Sequence, residues 1–124
     1  MFVIHEYNAS HHHYDLRLEI DGVLKNFALS KTPPTESGIK RLVIRTENHP
    51  LEYADFNTKI PQGHYGAGTV TIWDKGRLVV EDHKENEKIL FELSGDKMQG
   101  RYALIKTKFG GQKKNRNWLL FKRK

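Results

Sequence analysis

The chain has 124 residues, 37% hydrophobic and 29% charged, and no apolar run near the roughly 20 residues that span a bilayer, so we expect one cytoplasmic domain over residues 1–124. It contains no cysteine, which excludes disulfides, thiolate catalysis and zinc fingers, and any metal must be held by His, Asp or Glu. The formal charge of +6 favours a polyanionic partner such as nucleic acid, although a basic tail that aids solubility would account for it equally well.

Short segments of alternating apolar and polar residues predict a mainly β protein. In the first half of the chain the predicted strands are Phe2 to Tyr7, Tyr14 to Ile20, Val23 to Leu29 and Arg41 to Thr46. Asp21-Gly22 predicts a two-residue hairpin between the second and third strands, because such a turn needs positive φ at its central positions. Pro50 to Phe56 is expected to form one helical turn.

Glycines 63, 66 and 68 predict a turn with a structural role, and the second half of the chain continues with strands. These are Thr69 to Trp73, Arg77 to Glu81, Ile89 to Leu93, Arg101 to Phe109 and Trp118 to Phe121, with turns at Asp74-Lys75-Gly76 and Gly95-Asp96, a charged loop from Lys84 to Lys88 and a basic loop from Gly110 to Arg116. About eight short strands at this spacing predict an antiparallel barrel or sandwich, and we expect an antiparallel closed β-barrel with minor peripheral helix because closure removes unpaired edges.

The second strand carries the chemistry. Successive side chains of a strand point to opposite faces, so His13, Asp15, Arg17 and Glu19 share one face while the apolar residues between them share the other. Imidazole and carboxylate are ordinary ligands for manganese or zinc, and a guanidinium on the same face can grip two phosphate oxygens. The pattern predicts a phosphoester-cleaving site. A solvated strand face whose polar residues have no common target remains the alternative.

Seven separated blocks of the chain resemble a known family. They are His13-Tyr14-Asp15-Leu16-Arg17-Leu18-Glu19, Asp21-Gly22, Lys31, Lys40-Arg41-Leu42, His49 to Phe56, Ile60 to Gly68, and Trp73-Asp74-Lys75-Gly76. In this order and spacing the chain closely resembles the 3′-phosphoesterase domain of bacterial DNA ligase D, over almost its whole length. Because no ligase or polymerase module accompanies these blocks, it looks like the freestanding archaeal and bacterial members.

The resemblance implies a β-barrel enzyme that removes a 3′-terminal ribonucleoside from DNA and then the 3′ phosphate, leaving a 3′ hydroxyl. It implies a divalent metal cofactor, manganese first, with zinc or cobalt as alternatives. The expected substrate is a DNA 3′ end or a primer-template that carries a 3′ ribonucleotide or 3′ phosphate. A separate DNA ligase or polymerase is a candidate partner; we expect a monomer with no membrane association.

The resemblance also assigns roles to individual residues. His13 and Asp15 match metal ligands, and Arg17, Lys31 and Arg41 match phosphate-binding residues that would neutralise the phosphate oxygens. His49 matches a histidine that contacts the phosphate and is a candidate general acid, and Glu47 and Tyr53 match supporting residues. Without the resemblance, Lys31 reads as a surface lysine, Arg41 and Glu47 as a cross-strand pair, and Tyr53 as a core residue.

One position departs from the family pattern. Tyr7 stands where the family has a further metal-binding histidine. His5 lies two residues away on the same strand face, so we predict that His5 replaces it as a metal ligand. His11 is the next candidate, His12 is disfavoured by parity, and an open, water-filled coordination position is the other alternative.

Two further classes of function fit parts of the sequence. A non-catalytic nucleic-acid-binding barrel would need the basic surface but would tolerate loss of His13 and Asp15. A cupin-like metalloenzyme acting on a small molecule would use His11, His13, Glu19 and His64, but it would leave Arg17, Lys31 and Arg41 without a shared task.

Overall fold

One antiparallel β-sheet dominates the structure, a computed structural model that describes residues 1–55, 58–60, 68–107 and 116–124. The strands of these residues are β1 Phe2–Ala9, β2 His13–Ile20, β3 Val23–Leu29, β4 Lys40–His49, β5 Thr58–Ile60, β6 Gly68–Lys84, β7 Lys88–Ser94, β8 Gln99–Lys106 and β9 Asn117–Lys122. A short 3-10 helix, Leu51–Asp55, follows β4. The mainly β prediction and the single helical turn are therefore confirmed.

The strand pairings run in a ring. The order across the sheet is β1, β2, β3, β4, β9, β8, β7, β6, β5, and β1 also pairs antiparallel with β6. Every strand except the short β5 thus has a partner on each of two sides. This arrangement leaves few unpaired edges, which are the sites at which sheets otherwise associate.

The two faces of β1 to β4 divide as the alternation predicts. One face packs into the main core, whose fully buried residues include Phe2, Ile4, Leu16, Leu18, Phe27, Val43 and Trp118. The opposite face carries the polar residues of β2 and a small apolar cluster in which Ala54 of the 3-10 helix packs against Val3 and Leu24. The polar face therefore lies outside the main core, beside the 3-10 helix.

The hairpin at Asp21-Gly22 forms as predicted. Asp21 has φ of +56° and Gly22 has φ of +81°, the left-handed values that a primed two-residue turn requires. The turn sets the register of β2 against β3, in which Ile20 pairs with Val23 and Arg17 pairs with Asn26.

The predicted turn at Asp74-Lys75-Gly76 is wrong. β6 runs through it as a single strand that pairs first with β1 and then with β7. The buried carboxylate of Asp74 instead accepts backbone N–H groups of Asp96, Lys97 and Met98, in the turn between β7 and β8. Gly76 fits there because a Cβ would lie only 2.1 Å from a backbone oxygen of β7.

Several predicted features fall wholly or partly outside the described residues. They are the end of the helical turn at Phe56, the turn at glycines 63 and 66 with His64, the end of the strand at Phe109, and the basic loop from Gly110 up to Arg116. In the part of the chain that is described, no helix has the length and apolarity to cross a membrane.

Candidate active site

Arg17 lies at the centre of the polar face and is 2% exposed. Its Nε donates to Asn26 Oδ1 at 2.7 Å, and its Nη2 donates to the Tyr7 hydroxyl at 2.9 Å and to Asp15 Oδ2 at 3.3 Å. Its Nη1 lies 2.5 Å from His5 Nδ1, and since arginine only donates, His5 accepts through that nitrogen. The guanidinium is therefore held by partners from three strands.

The strand register explains this convergence. His5 pairs with Asp15 across β1 and β2, and Arg17 pairs with Asn26 across β2 and β3. Paired residues of antiparallel strands project from the same face, so the four side chains must meet. Asn26 also donates to Asp15 Oδ1 at 3.3 Å and to Thr46 Oγ1 at 2.5 Å, which ties the carboxylate and β4 to the same network.

These contacts bear on the expectation that Arg17 binds two phosphate oxygens at once. Four of its five N–H groups are engaged by partners within the described residues. A grip on two phosphate oxygens would require the phosphate to displace Tyr7 or Asp15 from Nη2. Without such a displacement, Arg17 can offer a phosphate one N–H of Nη1 and a fixed positive charge.

His13 and Asp15 are arranged as a pair of candidate metal ligands. His13 Nδ1 donates to the His11 carbonyl at 2.9 Å, which leaves the lone pair of the ring on Nε2. That Nε2 lies 3.9 Å from Asp15 Oδ2, and the His13 side chain is about one-third exposed. A backbone carbonyl on the second ring nitrogen is the usual way in which a metal-binding histidine is oriented. This pair fits a divalent cation.

The third predicted ligand does not join them. Among the described residues, no group of three or more His, Asp or Glu side chains is arranged to hold a metal ion. His5 is fully buried and its Nδ1 accepts from Arg17, so the structure places it as a partner of the guanidinium. Tyr7 stacks on the His13 ring, with centroids 4.5 Å apart, and links that ring to Arg17 through its hydroxyl. His12 bonds Glu6, away from this pair, as parity predicts.

His49 and Tyr53 cover the other side of Arg17. Their rings stack with centroids 4.6 Å apart, and the Arg17 guanidinium carbon lies 5.8 Å from the centroid of the Tyr53 ring. Burial, and then the charge of Arg17, lower the pKa of His49 below its ordinary value of 6.5, against the opposing effects of Asp15 and Glu47. His49 is therefore neutral at pH 7 in the free protein, and Glu47 acts on it by charge. Tyr53 is not a core residue, since it is 42% exposed.

Lys31 and Arg41 lie apart from this cluster. They line a cavity of about 430 Å³ near the start of β4, where Arg41 Nε donates to the Thr32 carbonyl at 2.9 Å. Glu19, the last polar residue of the β2 face, pairs instead with the amino terminus of the chain at 2.9 Å. The structure thus gathers His5, His13, Asp15, Arg17, His49 and Tyr53, and leaves Lys31 and Arg41 outside this cluster, in the cavity near the start of β4.

Asn26 and Thr46 are members of the site that the sequence analysis missed. The signal for Asn26 was available, because a two-residue turn at Asp21-Gly22 fixes Asn26 opposite Arg17. Thr46 carried no such signal, since its pairing with Asn26 depends on a long connection between β3 and β4 and on a bulge between Leu24 and Asn26.

Comparisons with known proteins add to this geometry. The model of the DNA Ligase D 3′-phosphoesterase domain family matches residues 5–106. The chain is 46% identical over 127 residues to the multifunctional non-homologous end joining protein LigD of Pseudomonas aeruginosa, covering 99% of this chain and 15% of that protein. It is 44% identical over 133 residues to the protein of the same name from Mycolicibacterium smegmatis, covering 99% and 17%. The chain therefore spans less than a fifth of the length of these curated relatives.

Proposed function

Because the chain belongs to the DNA ligase D 3′-phosphoesterase domain family, we propose that it is a hydrolase that heals the 3′ ends of DNA. It removes a 3′-terminal ribonucleoside by cleaving a phosphodiester, and then removes the remaining 3′ phosphate to leave a hydroxyl. The 124 residues act as a single domain, with the ring of strand pairings forming a closed barrel as scaffold. The observation that carries the proposal is the buried Arg17 between a metal-competent pair and His49.

His13 Nε2 and Asp15 Oδ2 hold the divalent ion in this proposal, with manganese as the first choice and zinc or cobalt as alternatives. When bound, such an ion supplies Lewis-acid polarisation of the phosphate. His13 and Asp15 would leave the remaining coordination of the ion to a third ligand, to water or to oxygens of the substrate. His5 serves as a third ligand in this proposal only after its Nδ1 releases Arg17, and metal content of the His5→Ala variant tests this; unchanged metal binding would count against the role.

Arg17 supplies fixed positive charge beside the phosphate, because its partners keep the guanidinium from moving. Preorganised charge of this kind stabilises the transition state without a cost of reorientation when the reaction occurs. Lys31 and Arg41 neutralise phosphate oxygens from the neighbouring cavity. Their position beside that cavity supports phosphate binding, and their distance from the Arg17 cluster makes a supporting role more fitting than direct proton transfer.

His49 donates the proton that the leaving oxygen needs in the diesterase step. Its pKa is held below the ordinary value mainly by burial, and a phosphate that brings negative charge next to the ring would raise that pKa and favour the protonated form. The stacked Tyr53 ring fixes the plane of the imidazole, and the charge of Glu47 favours the protonated form.

The test uses a labelled primer-template that ends in one 3′ ribonucleotide, incubated with manganese, zinc, magnesium or a chelator. We expect stepwise conversion to a 3′ phosphate and then a 3′ hydroxyl, and loss of both steps in chelator and in the His13→Ala variant. His12→Ala is the matched control, because its ring bonds Glu6 on the other side of the strand, and it should retain activity. If the DNA is bound but never cut with any metal, the protein is a nucleic-acid-binding module and the proposal fails.

A further inference from the structure

Two cavities adjoin on the polar side of β3 and β4. One, of about 230 Å³, is lined by His13, Ala28, Leu29, Ser30, Leu42 and Ile44. The other is the cavity of about 430 Å³ that Lys31 and Arg41 line, and its remaining wall residues are Ser30, Lys40, Leu42 and Leu119. Because Ser30 and Leu42 line both, the two form one continuous groove that begins at His13 and ends among three cations.

The walls of this groove change in character along its length. The part next to His13 is mostly apolar, and Leu42 presents 52% of its surface to solvent although it is a large hydrophobic residue. The far part carries Lys31, Lys40 and Arg41, and no Asp or Glu is among the described residues that line either part. Apolar surface followed by unopposed cations matches a nucleotide strand, in which sugars and bases alternate with phosphates.

The length of the groove sets how much of a strand it holds. Ile44 and Lys40 are four residues apart on β4, which is about 13 Å at roughly 3.3 Å per residue. A stacked DNA strand rises about 3.4 Å per nucleotide, so the groove accommodates about four stacked nucleotides, and fewer if the strand is extended.

We infer that the groove binds the nucleotides that lead, on the same DNA strand, to the reacting 3′ end. The 3′ end lies at His13 and Asp15, and Lys40 binds a phosphate of the strand a few nucleotides back, while Leu42 packs against sugar or base. This inference rests on the proposed function for the polarity of the strand. It adds Lys40 and Leu42 as binding residues. It also implies that the affinity for DNA comes from contact of the groove with a few nucleotides of one strand.

The test measures binding without cleavage. Labelled oligodeoxynucleotides of 2 to 10 residues with 3′ phosphates are titrated with the protein in chelator, at several salt concentrations, and the dissociation constant is read by fluorescence anisotropy. For the unaltered protein, affinity should rise with each added nucleotide up to about four or five and then level off. An affinity that does not depend on length would overturn the inference.

Two variants separate the two parts of the groove. Lys40→Ala should weaken binding of the longer strands about threefold to tenfold, leave the dinucleotide unaffected, and reduce the slope of log affinity against log salt by about 0.7. Leu42→Ser should weaken the same strands with no change in that slope, because it removes no charge. Lys84→Ala is the matched control, since that exposed lysine lies near the end of β6 and lines neither cavity.

The outcomes also distinguish the inference from the proposed function. If Lys40→Ala and Lys84→Ala bind alike, the groove does not hold the strand, whether or not the enzyme cuts 3′ ends. If the length and salt effects appear as expected but no metal yields cleavage of the primer-template, the groove is a strand-binding surface and the catalytic proposal fails.

Discussion

Replacing Arg17 with methionine should destabilise the fold as well as abolish catalysis. The guanidinium has four hydrogen-bonding partners and is 2% exposed, so its removal leaves Asp15 without this cation and deletes the hydrogen bonds that Arg17 donates to Asn26, His5 and Tyr7. Removing one partner of a buried ion pair costs about 3–5 kcal/mol, because the remaining charge stays buried without compensation. For a domain of this size, 1 kcal/mol shifts the melting temperature by roughly 3–6 °C. We therefore expect the melting temperature to decrease by about 10–30 °C.

Urea unfolding followed by tryptophan fluorescence measures the corresponding loss of unfolding free energy, since Trp118 is buried in the core. Arg41→Met is the matched control, because Arg41 is half-exposed and its side chain donates to one backbone carbonyl. That variant should stay within about 1 kcal/mol of the unaltered protein. If Arg17→Met lowers the free energy of unfolding by less than about 1 kcal/mol, the argument that the hydrogen bonds of Arg17 also stabilise the sheet is refuted.

Three further outcomes follow from the same contacts. Asn26→Ala removes the acceptor for Arg17 Nε and should cost about 1–3 kcal/mol in urea unfolding, with non-additive coupling to Arg17→Met. For the diesterase step, kcat/KM should fall as pH rises above the lowered pKa of His49, and His49→Gln should remove that limb; a profile unchanged by the substitution would exclude the general-acid role. Burial raises the pKa of Glu85, but hydrogen bonds from Arg45 and Lys25 together lower it by more, so the pKa in the folded protein lies below its ordinary value. The stability that Glu85 contributes is therefore present above its unfolded pKa and is lost as pH falls through its folded pKa. Glu85→Gln should flatten the fall of the urea midpoint below about pH 5, by less than about 1 kcal/mol because the side chain is half-exposed.

The parts of the fold that depend on local pattern were predictable. Alternation located the strands, and the two-residue turn at Asp21-Gly22 fixed the register that brings Asn26 opposite Arg17. Alternation also separated His13 and Asp15 from the core-facing residues of β2. These features follow from the period of the strand and the φ requirement of the turn, both of which act over a few residues.

The features that the sequence did not predict correctly depend on contacts between distant parts of the chain. Asp74 and Gly76 have the composition of a turn, but the Asp74 carboxylate is used by the amides of residues 96–98, and Gly76 allows β7 to approach closely. Likewise, strand parity placed Arg17 on the correct face but could not show that its N–H groups are engaged by neighbouring strands. Both outcomes depend on register between strands that local sequence does not specify.

In the proposed function, burial of Arg17 would divide the handling of DNA between two sets of cations. A guanidinium that is 2% exposed and held by four partners contributes little to the first encounter with a strand, because it is buried and its charge is partly neutralised by Asp15. Lys31, Lys40 and Arg41 lie in an open cavity with no acidic neighbour among its lining residues, and their field reaches solvent. We therefore expect the groove, where salt acts strongly, to capture the strand, and the buried network, where salt acts weakly, to stabilise the reacting phosphate.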